Sequence, residues 1–298
     1  MGNKPSYSVA QQIQLLKDRG LLFKNEAEAP HFLLNISYYR LKGYWWDMQS
    51  DFVNHTFKPG SYFEAVLDRY TFDRKLRLIL FDAIERIEIA LRTKMIYFLS
   101  QSYGGLWHLN TTIVDNVQMH TDLLTDLQKE FKRSNEIFIK DHKHRYPHLE
   151  PDTWKIMEVA SMGTLSKIYK NLHHQLPEKA KIANEMGLRL HSELSSWLEA
   201  IVYVRNIIAH HSRLWNRNMV KTPRHLINPA SLWLRQNPTG VQMKKPFYII
   251  TAMLYLCNKV TPNHQIKHKI IELIGENPNI PVYKVGFINN WQTEPIWQ

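Results

Sequence analysis

The chain has 298 residues, of which 44% are hydrophobic and 22% charged. These are ordinary globular proportions, and the length suits one large domain or two smaller ones with a core that needs no covalent staples. The single cysteine, Cys257, excludes an intramolecular disulfide and any multi-cysteine zinc site, and it reads as a small buried apolar residue. Lys and Arg number 38 against 27 Asp and Glu, a net charge of +11. Such a surface attracts polyanions, nucleic acid above all, although solubility alone also accounts for it. The N-terminal stretch Met1 to Ala10 is polar, so no signal peptide is expected. The longest apolar stretch, Phe247 to Cys257, falls short of the roughly 20 residues that cross a bilayer. A soluble, cytoplasmic protein without membrane contact is expected.

Taken in chain order, most segments read as helix. Ser8 to Arg19 has helical apolar spacing and a stop at Gly20. Glu26 to Ile36 follows, with Pro30 disturbing its first turn. An aromatic and basic run, Tyr38 to Trp46, comes next, then a loop at Asp51 to Gly60. From Tyr62 to about Ser100, Leu76, Ile79, Leu80, Ala83, Ile84, Ile87, Leu91, Met95 and Phe98 recur at steps of three and four and predict one long helix. Further helices are predicted at Met119 to Arg133, Trp154 to Val159, Thr164 to Leu172, Glu178 to Met186, Ser192 to His211, Phe247 to Val260 and Gln265 to Ile274. A strand is expected at Val282 to Phe287. The fold class is mainly α. Three stretches are expected: an N-terminal helical region over 1–58, a helical core over 59–220, and a C-terminal helical segment with an irregular tail over 221–298.

The chemistry concentrates between Ser192 and Arg217. On a helical wheel with Arg205 at zero, Leu194, Leu198, Ile201, Val202, Ile208 and Ala209 fall within about 60° of it. Glu199, Tyr203, Asn206, His210 and Arg213 lie on the adjoining face, between about 80° and 160°. An arginine within an apolar stripe has two readings. It is a structural cation needing a buried carboxylate such as Glu85 or Glu88, or it faces a cleft or a second subunit together with His210.

The run Arg205-Asn206-Ile207-Ile208-Ala209-His210-His211-Ser212-Arg213-Leu214-Trp215-Asn216-Arg217 resembles the signature R-N-x-x-A-H-H-x-R-x-W-N-R of the Abi-like abortive-infection family of the AbiD/AbiF type. Leu16 to Leu21, Ile36 to Tyr44, Ile84 to Arg92, Pro151 to Leu172 and the tail from Gly286 to Trp297 are similar to other parts of that family. The resemblance implies the HEPN superfamily, marked by R-x(4–6)-H near the end of a core helix, and a HEPN-type helical bundle with an N-terminal helical extension. It further implies a ribonuclease toxin of an antiphage or toxin–antitoxin system, needing no metal or other cofactor, with a small non-coding RNA as antitoxin. HEPN sites pair two modules. One copy of the motif is present here, so a homodimer with a composite site is expected.

Within that frame Arg205, Asn206 and His210 are the expected catalytic residues. An imidazole titrates near neutrality and can move the proton of an RNA 2′-hydroxyl or of the leaving oxygen. A guanidinium binds two phosphoryl oxygens at once. His211, Arg213 and Arg217 are expected to bind neighbouring phosphates. Tyr39, Arg40, Lys42 and Trp45 are candidates for contacting unpaired bases, or else form a packing hinge. Glu85, Glu88 and Arg92 read as a structural ion-pair group holding Arg205 or the dimer. His142, His144 and His148 sit in a Pro-bounded charged stretch that reads as a loop, contacting RNA or merely solvated, rather than as a metal site. The competing functional readings are a HEPN RNA-binding sensor or scaffold that has lost cleavage and, behind it, a DNA-binding regulator using its N-terminal helices.

Overall fold

A computed structural model describes residues 6–298; Met1 to Pro5, the start of the polar N-terminal stretch, lie outside the described residues. The chain is mainly α, and among the described residues one two-stranded hairpin is the whole of its sheet. Helix α1 (Val9–Asp18) opens with a reciprocal cap, in which Ser8 and Gln11 each accept the other's backbone N–H. Pro30 falls in the first turn of α2 (Ala29–Ile36), where its missing N–H costs nothing. The aromatic and basic run is itself helical, forming α3 (Tyr38–Trp45). The expected loop that follows contains an antiparallel hairpin, β1 (Gln49–Asp51) with β2 (Thr56–Phe57), in which Gln49 pairs with Phe57. Asp51 closes its tip by accepting the N–H groups of Val53 and Asn54 at 2.7 and 3.2 Å.

Helix α4 (Phe63–Tyr103) runs for 41 residues and ends where Gly104 takes φ +80°. Its buried face carries Val66, Phe72, Leu76, Leu80, Ala83, Ile84, Ile87, Leu91 and Met95, and Ile79 and Phe98 of the predicted stripe lie half-buried at its edge. Two charged residues, Asp73 and Arg77, interrupt that apolar face and are buried with it. Helices α5 (Val117–Arg133), α6 (Ile137–Arg145), α7 (Thr153–Ile156), α8 (Met162–Asn171) and α9 (Pro177–Glu185) follow. Next comes α10 (His191–Ala209), which lies against α4, α8 and α9. Trp197 anchors α10. Its ring packs on Trp233 and Tyr255 at 5.2 and 5.5 Å between centroids, and its indole N–H donates to the Arg224 carbonyl.

After the short α11 (Gly240–Met243), α12 (Pro246–Val260) is buried on every side from Pro246 to Cys257, as expected of a helix apolar all round. It packs against α4, as does α13 (Ile266–Gly275). Cys257 lies in this interior with its thiol pushed up to about 12 by burial. Buried side chains from all three expected stretches belong to one continuous core. The expected strand at Val282 to Phe287 does not form. Local turns take its backbone groups, with Lys284 N–H on Pro281 and Val285 N–H on Val282, and Gly286 bends away at φ +98°. The tail instead folds as an aromatic cluster, Phe287, Trp291 and Trp297, against Phe247. The histidine-rich stretch is likewise not a simple loop. His142 and His144 belong to α6, and His142 is buried against Phe131. No helix among the described residues is long and apolar enough to cross a membrane.

His108 and His120 are both buried, each with an Nε2 that lacks a partner. Burial, and after it the charge of His120, holds His108 down at about 4 against an ordinary 6.5, and burial also lowers His120. Below pH 6.5 the unfolded chain takes up protons that the folded chain refuses. Stability is therefore full above 6.5 and falls by about 1.4 kcal/mol per pH unit for each such group until its folded value is passed. Urea unfolding at pH 7.5 and pH 5 should show this loss, and His108→Asn, which keeps a side-chain partner for Thr153, should shrink it. Equal pH dependence in parent and variant would rule out His108 as a cause.

Candidate functional site

The predicted catalytic residues lie at the C-terminal end of α10 and in the turn that follows. The helix closes with two hydrogen bonds, Ser212 N–H to Ile207 O and His211 N–H to Ile208 O, both 2.9 Å. This is a Schellman closure, whose left-handed position is usually glycine. Here His211 occupies it, at φ +54°. His210 is the capping residue just before it and is exposed.

The turn is then clamped twice. Arg40, on α3, donates from Nη1 to the His211 carbonyl at 2.6 Å. Asp73, on α4, accepts the backbone N–H groups of Leu214 and Trp215 on Oδ1 at 3.0 and 2.8 Å. Its Oδ2 accepts the Tyr44 hydroxyl at 2.7 Å and lies 3.3 Å from Nε of Arg77. Asp73 is fully buried. Burial pushes its carboxyl up, and the donors aimed at it pull the other way. Burial first, and the Asp73 charge second, push the Tyr44 phenol well above its usual range, so it stays a donor. The sequence reading missed Asp73. The signal was present as a carboxylate on the apolar face of α4, a position that demands partners.

Arg205 is half-buried and sits at the rim of the core stripe rather than in its middle. With Arg205 at zero, the buried positions of α10 run from about −160° to about +20°, and Val202 and Ala209 lie outside them. The expected wheel position of Arg213 does not apply either, because the helix ends at Ala209. The structural reading of Arg205 as the partner of Glu85 or Glu88 is not formed. Glu88 pairs with Arg92 at 2.7 Å, and Arg92 also donates to the carbonyls of Met157 and Ala160. The side chains of Arg205, Asn206, His210 and His211 make no hydrogen bond or ion pair among the described residues.

Arg213 and Arg217 are otherwise occupied. Arg213 donates to the Trp215 carbonyl and lies over Gly43, where an added Cβ would meet its Cδ at 2.7 Å. Burial and the charge of Arg217 lower its pKa. Arg217 donates from Nε back to the Arg213 carbonyl at 2.8 Å. Both half-buried arginines hold the turn, which limits what they can offer to phosphate.

Of the aromatic and basic run, Tyr39 is 81% exposed. Trp45 is only 1% exposed and packs edge-on to Tyr38 and Phe57, so its face is closed to any base. The exposed tryptophan is its neighbour Trp46. The wheel explains the error, since adjacent helical residues face about 100° apart. A cavity of about 470 Å³ between α5 and α6, lined by Phe131, His142, Lys143, Tyr146 and Leu149, includes none of the residues around Arg205.

Among the described residues one group could hold a metal ion: Asp115, His173 and His174 have ligand atoms within 4.8 Å of one another. The Gln175 N–H aimed at Nδ1 of His173 and the coupling of Asp115 to the buried Lys179 ammonium both work against a cation there.

A family model described as Abi-like protein matches residues 31–216, which spans α2 through the clamped turn. No curated protein and no solved structure matches the chain significantly.

Removing the buried carboxylate leaves two backbone donors, a phenol and Arg77 without a partner. Asp73→Ala should therefore lower stability by about 3–5 kcal/mol in urea unfolding. In the same assay His211→Gly should be neutral or stabilising by up to about 1 kcal/mol, because glycine adopts the left-handed position without the steric cost. A clear destabilisation by His211→Gly would show that the imidazole itself supports the fold.

Proposed function

Since the chain belongs to the Abi-like protein family, we propose that it is a metal-independent endoribonuclease of the HEPN kind, acting as the toxin component of an abortive-infection system. The observation that carries this reading is the state of Arg205 and His210. A guanidinium and an imidazole stand at a rigidly clamped helix end, solvent-accessible and without intramolecular partners. A partly buried arginine with a purely structural role is normally paired with a carboxylate, and Arg205 has no such partner among the described residues.

The chemistry follows from the groups. RNA carries its own nucleophile, the 2′-hydroxyl. His210 takes that proton or delivers one to the departing 5′-oxygen. Arg205 binds the non-bridging oxygens and stabilises the charge that builds on the phosphorane. Asn206, one helical turn before His210, orients the imidazole or binds phosphate. The products are a 2′,3′-cyclic phosphate and a 5′-hydroxyl.

Arg205, on α10, and His210, its capping residue, start about 140° apart around the helix axis and do not converge on one phosphate within one subunit. A second copy of the chain, related by a two-fold axis, brings an arginine of one subunit towards a histidine of the other. The protein therefore acts as a homodimer in the cytoplasm, on cellular or phage RNA, with a small non-coding RNA as its restraining partner. The same divergence favours one competing reading, an RNA-binding sensor that never assembles a cutting site.

Arg205→Ala and His210→Ala should each reduce cleavage of RNA by about 10²-fold or more with little change in melting temperature, since both side chains lack intramolecular partners. Cleavage should survive EDTA, and end mapping should return cyclic phosphates. Equal growth arrest on overexpression of the parent and both variants would favour the sensor. A fully active monomer in sedimentation would overturn the composite site.

A further inference from the structure

On α3 and the single 3₁₀ turn that continues it from Trp46 to Met48, Tyr39, Lys42 and Trp46 recur at steps of three and four and share one face. That face is open, with Tyr39 81% and Trp46 43% exposed. Phe52, at the hairpin tip, is 51% exposed and stacks on Trp46 with centroids 5.4 Å apart and planes 22° from parallel. The Lys42 ammonium sits 5.8 Å from the centre of the Trp46 ring. Phe52 is not on a loose loop. The Asp51 carboxylate accepts from Val53, from Asn54 and from the Asn54 side-chain amide, and so presents Phe52 on a built turn. The core takes other aromatics of this region, Tyr44, Trp45 and Phe57, and leaves these three rings outside.

The neighbouring face of α3 is the one that meets the clamped turn. Arg40 holds the His211 carbonyl, and Gly43 lies under Arg213 with no room for a Cβ. The aromatic face and the clamped turn are thus two parts of one surface. From Arg40 to Trp46 is about 9 Å along the helix axis, close to three stacked nucleotides at about 3.4 Å each.

We propose that Tyr39, Trp46 and Phe52, with Lys42 beside them, form a stacking platform for unpaired bases of single-stranded RNA leading into the Arg205 and His210 site. This inference rests on the ribonuclease reading above. Single strands are the fitting ligand because their bases have free faces, whereas those of a duplex are already stacked. A cation over the Trp46 ring, on a chain of net charge +11, suits a polyanion that also carries flat apolar rings. Stacking reads ring faces, so the platform tolerates many sequences.

The test uses the full chain carrying His210→Ala, to suppress cleavage during the measurement, and a labelled unstructured RNA of about twelve nucleotides, read by fluorescence anisotropy. Trp46→Ala and Phe52→Ala should each weaken binding by about 5- to 100-fold, as expected for the loss of one stacked base. Trp46→Phe should keep most of the affinity. Lys42→Ala should reduce the salt slope by about one, and binding of a duplex should change little in any variant. Melting temperatures should stay near that of the parent, because the altered side chains are exposed.

Single-strand affinities within twofold of the parent for both Trp46→Ala and Phe52→Ala would overturn the platform. Cleavage by the unmodified chain would then leave the nuclease reading standing. Failure of the unmodified chain to bind or cut RNA would sink both. Conversion of a dimer to monomers by Trp46→Ala, with RNA affinity unchanged, would make the patch a subunit contact and also overturn the platform.

Discussion

The Asp73 carboxylate, buried on the core face of α4, joins three segments that are far apart in the chain. It takes the backbone N–H groups of Leu214 and Trp215, the hydroxyl of Tyr44 and the charge of Arg77. A buried carboxylate in contact with so many donors is costly to leave unpaired and hard to displace once paired. The turn after α10 therefore has little freedom. The position of His210 and the direction of Arg205 relative to α3 and α4 follow from that restraint.

The second restraint is the helix end itself. A Schellman closure stops α10 at Ala209 and turns the chain sharply. His211 accepts a left-handed backbone there that glycine would adopt with less strain. Strain of this kind persists where the side chain has work to do or where the surroundings over-determine it. Arg40 supplies the over-determination by gripping the strained residue's carbonyl. The divided labour of the arginines also follows. Arg40, Arg213 and Arg217 bind carbonyls and build the turn, while the half-buried Arg205 is left without a partner among the described residues. The backbone carbonyls of the turn thus take up the other cations and leave the Arg205 guanidinium unpaired.

Periodicity and turn chemistry along the sequence determined the helical class, the long α4, the stop at Gly20, and the position of the segment carrying Arg205, Asn206 and His210. These are local properties. A 3.6-residue repeat of apolar side chains and the demands of capping act between neighbours a few residues apart, and they survive whatever the rest of the chain does. Only the tertiary structure decided that Arg205 gains no partner in Glu85 or Glu88 while Asp73 ties down the turn, that Trp46 rather than Trp45 faces outward, that Arg213 and Arg217 each give one donor to the turn, and that Val282 to Phe287 coils instead of extending. Each of these depends on which groups from distant segments arrive together and satisfy one another's hydrogen bonds. The distance of 141 residues between Asp73 and Leu214 is invisible to any local pattern.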